Sequence, residues 1–341
     1  MGELKSEALR KQLKSGLTDR CYLLYGQERY LMDHYARELR KAVLGAEDDS
    51  FNLRRLEGKG LNLQDLADAL DAYPSFAEKA LVEVRDLDIF QLPEADAARL
   101  LEILRDVPDY CCLLFLYEAS EFKPDKRKKK LWEGLRSAVS LVEFPLQGQS
   151  ELSRWIVRHF AARGKEISAE DAAYLIFLCG SEMETLSNEI GKIAVYAAGN
   201  RIAREEIDAA AVPAVEAQTF KLTDALSNRD YEKAAGLMFK LFQLSTEPIA
   251  INAMIGSQLR RLYTALLLKR RGGSAAELSA VLVSSGEYAC RQYLRICDSF
   301  SEDWYRRMIR LSAETDLRMK SSGEAPEDLL RSLFVTMAAG T

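Results

Sequence analysis

The sequence predicts an α/β domain with a mainly parallel sheet, followed by an all-α remainder. Up to Phe144, short apolar runs of strand length alternate with amphipathic stretches of helical spacing, the pattern of a parallel sheet. From Ser150 onward only helical periodicity remains. Runs such as Cys111 to Tyr117 are apolar throughout, as expected of a strand covered on both faces. A chain of 341 residues with 48% hydrophobic content has room for two or three domains with cores of their own.

Leu9 to Leu17 reads as a short amphipathic helix, and Cys21 to Tyr25 as a buried strand ending at Gly26. A helix follows from Glu28 to about Val43, with Leu31, Tyr35, Leu39 and Val43 on one face. Strand, glycine turn and helix in this order is how a nucleotide-binding half-domain begins. Phe51 to Leu53 reads as an edge strand. Leu63, Leu66, Ala67 and Leu70 mark the next helix, capped by Asn62 with Asp65 and stopped by Pro74. Then come a strand at Ala80 to Val84, a helix at Pro93 to Val107, a strand at Cys111 to Tyr117, a helix at Leu131 to Val139 and a last strand at Leu141 to Phe144.

A phosphate-cradling loop after the first strand requires G-x-x-x-x-G-K-[ST], whose backbone N–H groups and lysine enclose the phosphates. The chain has Gly26-Gln27-Glu28-Arg29-Tyr30-Leu31 there, so the second glycine, the lysine and the hydroxyl ligand for magnesium are missing. Leu81 to Asp86 also lacks the paired acids that hold magnesium in such enzymes. The expectation is a nucleotidase plan without its chemistry.

Pro145 to Gln149 reads as a linker. Helices are then expected at Ser150 to Arg163, at Ser168 to Cys179 with a capping box to Asp171, after a second capping box at Ser181 to Glu184, and at Ile202 to Val212. Pro213 to Gln218 reads as another linker. Beyond it the helices are Phe220 to Leu226, Tyr231 to Leu244, Pro248 to Arg271, Tyr288 to Phe300, Trp304 to Lys320 and Pro326 to Ala338. Arg260, Arg261, Lys269, Arg270 and Arg271 lie along the longest of these.

Composition limits the chemistry. The six cysteines are scattered without zinc spacing and read as buried reduced thiols. His34 and His159 are the only histidines, which disfavours a metal cluster or a histidine-based triad. A net charge of −5 argues against a protein that holds DNA by its overall field, although a local basic face fits a shared role. No run reaches the length of a membrane span and the N-terminus lacks a secretory pattern, so the expected location is the cytoplasm.

Two features remain for binding. Tyr73 and Phe76 flank the Pro74 break; residue type alone puts them in the core, whereas an outward orientation makes an apolar knob able to fill a partner's pocket. Lys123 to Lys130 is the most basic run, read first as a solvated loop and second as a phosphate or acidic-partner contact through Lys128, Lys129 and Lys130.

Four segments together resemble one family: Cys21 to Leu31, Tyr73 to Val82, Thr219 to Leu226 with Glu247-Pro248-Ile249 and Gln258-Leu259-Arg260-Arg261-Leu262, and Thr315 to Lys320. In them, and over essentially its whole length, the chain resembles the delta subunit of the bacterial DNA polymerase III clamp loader. The resemblance implies an AAA+-like α/β domain at 1–146, a small helical lid at 147–215 and a helical collar at 216–341. It implies no bound nucleotide, cofactor or metal. It further implies that Tyr73, Pro74, Ser75 and Phe76 enter a hydrophobic pocket of the ring-shaped sliding clamp, the beta subunit, and that one clamp interface is then held open. In place of the aliphatic residue many family members carry before the phenylalanine, this chain has Ser75. The implied partners are the clamp, the gamma/tau and delta prime subunits, and primed DNA, with Lys128, Lys129, Lys130, Arg260 and Arg261 as DNA or partner contacts and no membrane. Two alternatives are an NTPase with an unusual phosphate site around Gly26 and Arg29, and a degenerate AAA+ regulatory or DNA-binding protein of another assembly.

Overall fold

The computed structural model of the protein describes residues 2–45, 51–125, 127–243, 247–282 and 286–339. The chain divides into two compact units, Met1–Gln147 and Gly148–Thr341.

The first unit runs β1 (Gly2–Glu3), α1 (Ser6–Ser15), β2 (Cys21–Gly26), α2 (Arg29–Leu44), β3 (Leu53–Glu57), α3 (Leu63–Asp71), β4 (Ala80–Arg85), α4 (Glu94–Arg105), β5 (Cys111–Leu116), α5 (Lys129–Ala138) and β6 (Ser140–Phe144). Its strands form one parallel sheet in the order β1-β6-β2-β5-β4-β3. Alternate side chains of β2 go to opposite faces, as strand geometry demands. Tyr22 and Leu24 join Met32, Ala36 and Leu39 of α2 on one side. Cys21 and Leu23 join Leu66 and Leu70 of α3, Leu100 of α4 and Leu135 of α5 on the other. This is the helix-covered, mainly parallel sheet expected from the alternating pattern.

β3 differs from the expected strand at Phe51 to Leu53: it begins at Leu53 and continues to Glu57, registered Leu53 to Leu81 and Leu56 to Val84. Its Leu-Arg-Arg-Leu-Glu sequence hides it, because an edge strand carries charge where a central one is apolar.

The second unit contains α6 (Gln149–Ala161), β7 (Glu166–Ile167), α7 (Ala169–Cys179), α8 (Met183–Tyr196), β8 (Arg201–Ile202), α9 (Arg204–Ala210), α10 (Val215–Ser227), α11 (Tyr231–Gln243), α12 (Pro248–Lys269), α13 (Ala275–Val281), α14 (Glu287–Ile296), α15 (Glu302–Ser321) and α16 (Pro326–Ala339). Three expectations are corrected here. The unit is not purely helical, since β7 and β8 pair in parallel. Ser181 does not cap a helix; α8 starts at Met183, with Glu182 at its N-cap and no side-chain cap bond. Burial of Met183 sets that start. Pro213 to Gln218 is not a free linker, because α10 begins at Val215 and Ala217, Gln218 and Thr219 are buried. The expected end of α11 at Leu244 lies outside the described residues.

α12 and α15 form the spine of the helical bundle, and they meet at Gly256, where a Cβ would stand 2.8 Å from Ser312 Oγ. One turn away the buried Asn252 donates through Nδ2 to the Ser312 carbonyl (3.0 Å) and accepts from the Ser312 hydroxyl (3.0 Å). The small residue permits the approach, and the paired amide satisfies the polar groups it buries.

The sheet of the first unit holds an ionic node. Glu83, in the middle of β4, is fully buried. Arg40 of α2 donates Nε (2.9 Å) and Nη2 (2.6 Å) to its Oε2, while Arg85 donates Nε (2.9 Å) and Nη2 (2.8 Å) to Oε1. Arg85 also approaches Glu118 at 3.6 Å. Hydrogen bonding to Glu83 raises the pKa of Arg85.

Two predictions concern this scaffold. Because the two guanidinium groups would lose their buried counter-charge, Glu83→Gln should lower the unfolding free energy of the first unit by about 3–5 kcal/mol, whereas the more exposed Glu118→Gln should change it by under about 1 kcal/mol. Urea titration of both variants measures the contrast. All six cysteines are free and buried, and burial pushes Cys21 and Cys179 up to about 12 and Cys111, Cys290 and Cys297 up to about 11. A thiol-reactive chromogenic disulfide at pH 8 should therefore label the native chain slowly and all six thiols promptly in urea.

Candidate functional site: an aromatic turn at one end of the sheet

At the carboxyl ends of the parallel strands, where ligands bind in open α/β sheets, the turn from β2 to α2 is closed down onto β6. Gly26 has φ +133°, and a Cβ there would stand 2.2 Å from the Phe144 carbonyl oxygen. The Glu28 N–H donates to that same carbonyl at 2.9 Å. A phosphate cradle needs such N–H groups to converge on open space; here one is committed to a neighbouring strand. Arg85, which ends β4, and Asp86 just after it are likewise engaged in structure. Asp86 accepts from the N–H groups of Ala119 and Ser120 and from the Ser120 hydroxyl, fixing the loop after β5.

The opposite end of the sheet carries the aromatic pair. α3 is capped by Asn62, which accepts from the Gln64 N–H at 2.9 Å, and it ends at Asp71 before Pro74. Its last carbonyls are collected by Arg54 of β3, whose Nη1 donates to Ala69 (2.9 Å) and Ala72 (3.0 Å) and whose Nη2 donates to Tyr73 (3.2 Å). A cation at a helix C-terminus satisfies carbonyls that lack intrahelical partners and complements the helix dipole.

Tyr73 stacks on Tyr110, with ring centroids 4.6 Å apart and planes 23° apart, and the Tyr110 hydroxyl donates to the Asp71 carbonyl at 2.9 Å. Even so, Tyr73 is 77% exposed, and Phe76 is fully exposed, at 110%. The choice left open by residue type is decided for the outward orientation. Phe76 has φ +56°, a left-handed backbone rarely adopted by an aromatic residue. Ser75 contributes through its backbone, bonded at both N–H and carbonyl to the Asn52 side chain. Tyr73 and Phe76 therefore form an apolar projection on a bonded turn.

The basic residues are less uniform. Lys126 lies outside the described residues. Lys128 turns inward and donates to the carbonyls of Phe90 (2.7 Å) and Leu92 (3.2 Å), while Lys129 and Lys130 are exposed at the start of α5. On α12, Arg260 is exposed, whereas half-buried Arg261 borders a cleft of about 660 Å³ in the second unit and lies 3.5 Å from the Tyr293 hydroxyl. Lys269 and Arg270 are engaged with Asp298 and Glu302. Asn52, Arg54 and Tyr110, which build the aromatic turn, were not singled out from sequence. The clue of an exposed-strand arginine was present at Arg54, but its partners lie 15 to 19 residues away.

Residues 22–144 match the family model for the DNA polymerase III delta subunit, and residues 216–337 match that for its C-terminal domain. The DNA polymerase III subunit delta of Bacillus subtilis is 26% identical over 334 residues, covering 95% of this chain and 94% of that protein. A probable DNA polymerase III subunit delta of Aquifex aeolicus is 23% identical over 308 residues, covering 88% of this chain and 82% of the other. The solved structure of the Bacillus subtilis DNA clamp loader delta protein superposes with a TM-score of 0.60 at 22% identity, over 97% of this chain and 98% of that one. The fold is accordingly shared with that structure, a mainly parallel α/β first unit followed by a helical C-terminal region. With matching family models at both ends and relatives aligned over nearly its full length, the chain belongs to the DNA polymerase III delta subunit family.

Proposed function

We propose that the protein is the clamp-opening subunit of a clamp loader and that the Tyr73-Pro74-Ser75-Phe76 turn is its contact with the sliding clamp. The observation that carries this reading is the exposure of both rings on a turn bonded to the sheet by Asn52 and Arg54. A monomer gains nothing from leaving a fully exposed phenylalanine on such a turn; a partner's pocket does. Burying each ring is worth about 1.5–3 kcal/mol, so the pair supplies a large part of a micromolar affinity, and Ser75 adds little apolar area of its own.

The work done is mechanical. A subunit that binds the open ring better than the closed one shifts the equilibrium between them, by no more than the difference in its two affinities. No catalytic residue is required, and the closed Gly26–Glu28 turn supports a subunit without nucleotide chemistry of its own. In this reading, ATP is bound and hydrolysed by the gamma/tau neighbours, residues 147–215 act as a lid and 216–341 as a collar that joins those neighbours and delta prime. Lys129, Lys130 and Arg260, being exposed, are the residues available for sequence-independent contact with primed DNA phosphates. Lys128 and Arg261 contribute mainly to structure. No described helix is long and apolar enough to cross a membrane, and the assembly works in the cytoplasm.

The test is equilibrium binding of the purified chain to the sliding clamp of its own organism without nucleotide. Tyr73→Ala combined with Phe76→Ala should weaken binding by about a hundredfold or more, with an unchanged unfolding transition because both rings are exposed. Equal affinity of the two proteins would remove the contact from this turn. A clamp held as a monomer by interface substitutions should bind more tightly than the intact ring, since no ring interface then has to be opened. Equal affinities for monomer and ring would overturn the mechanical part.

A further inference from the structure

We propose that Asn52 is a positioning residue for clamp binding, holding the turn so that the Phe76 ring is presented before any partner arrives. The inference rests on the reading that this turn enters the clamp.

Asn52 is 2% exposed, and both ends of its carboxamide act on one residue. Its Oδ1 accepts from the Ser75 N–H at 2.6 Å, and its Nδ2 donates to the Ser75 carbonyl at 3.0 Å. A side chain that engages both backbone groups of one residue reproduces the paired bonding of a hydrogen-bonded β-pair. Asn52 is itself tied to the sheet, because its carbonyl accepts from the Leu81 N–H at 2.8 Å, one step before the β3–β4 register begins at Leu53 and Leu81. The sheet is thus extended by one rung through a side chain, and that rung holds Ser75.

The residue after a backbone so held is Phe76, in the left-handed conformation at φ +56°. A non-glycine residue keeps that conformation only when its surroundings over-determine it. Arg54 fixes the turn on the helix side through Ala72 and Tyr73, and Asn52 fixes it on the strand side through Ser75. Between these two holds, Phe76 is directed outward with little freedom left to lose on binding, which is how preorganisation raises affinity. Removing the Asn52 bonds lets the turn sample other conformations, and the apparent affinity falls with the fraction that remains competent.

The experiment measures clamp affinity for Asn52→Ala and for the isosteric Asn52→Asp, each also in a Phe76→Ala background. Asn52→Asp keeps the acceptor for the Ser75 N–H but replaces the donor facing the Ser75 carbonyl with an oxygen, and its matched size guards against a loss of folding. The expected result is a rise in Kd of roughly tenfold to a hundredfold for both variants. In Asn52→Ala, which removes the acceptor of the Ser75 N–H, amide hydrogen exchange at Ser75 should accelerate while that of β4 and β5 stays slow. In the Phe76→Ala background the same substitutions should cost no further affinity, because positioning acts only through the ring. Wild-type affinity for both variants, beside a Tyr73→Ala, Phe76→Ala protein that does not bind, overturns the positioning role alone. An undiminished loss in the Phe76→Ala background also overturns it, in favour of a direct contact or a general structural effect. Undiminished clamp binding by the Tyr73→Ala, Phe76→Ala protein removes the underlying reading, and the positioning role with it.

Discussion

A carboxylate buried in the middle of a parallel sheet needs donors for both of its oxygens, and the two arginines that supply them to Glu83 tie together several elements of the first unit. Arg40 reaches it from α2, which fixes the position of that helix over one face of the sheet. Arg85 reaches it from two residues further along the same strand and carries the charge on toward Glu118. Side chains that would otherwise be available at the carboxyl ends of the strands are thereby occupied with one another. Replacing such a cluster with apolar residues of equal volume can be neutral for stability, whereas removing one partner alone leaves buried charge unanswered.

The two ends of the sheet differ. At the carboxyl end, Gly26 lies directly on Phe144, Glu28 bonds to the same residue, and Asp86 caps the loop after β5. At the amino end, side chains from β3 and from the loop before β5 gather around the turn after α3 and leave two aromatic rings outside. The aromatic projection thus lies at the end of the sheet opposite the one where ligands bind in open α/β folds. The second unit serves a different requirement, burying a large helical core around α12 and α15 with one close approach at Gly256.

The turn itself shows how an exposed apolar group is kept from collapsing onto its own protein. Tyr73 has one face against Tyr110, and that contact orients it without hiding it. Phe76 has no comparable ring neighbour among the described residues, and its outward direction follows from backbone conformation. Hydrogen bonds to the main chain, from Arg54 and Asn52, do what packing does for a core residue.

Period and punctuation in the chain by themselves determined the alternation of strands and helices up to Phe144, the helical remainder, and the lack of a phosphate-loop motif after Gly26. These are local properties, set by which residues recur on one face and by where glycine and proline interrupt them. The charged edge strand Leu53–Glu57, the paired β7 and β8, and the start of α8 at Met183 were not legible, because each depends on a neighbour or on burial rather than on a pattern. Sequence also located Tyr73 and Phe76 at a break in the chain, and the family resemblance implied a clamp contact for them. Only the tertiary structure decided that both rings face outward. The physical reason is that the groups holding them, Asn52, Arg54 and Tyr110, lie between 15 and 39 residues away in the chain and meet the turn only once the sheet has formed.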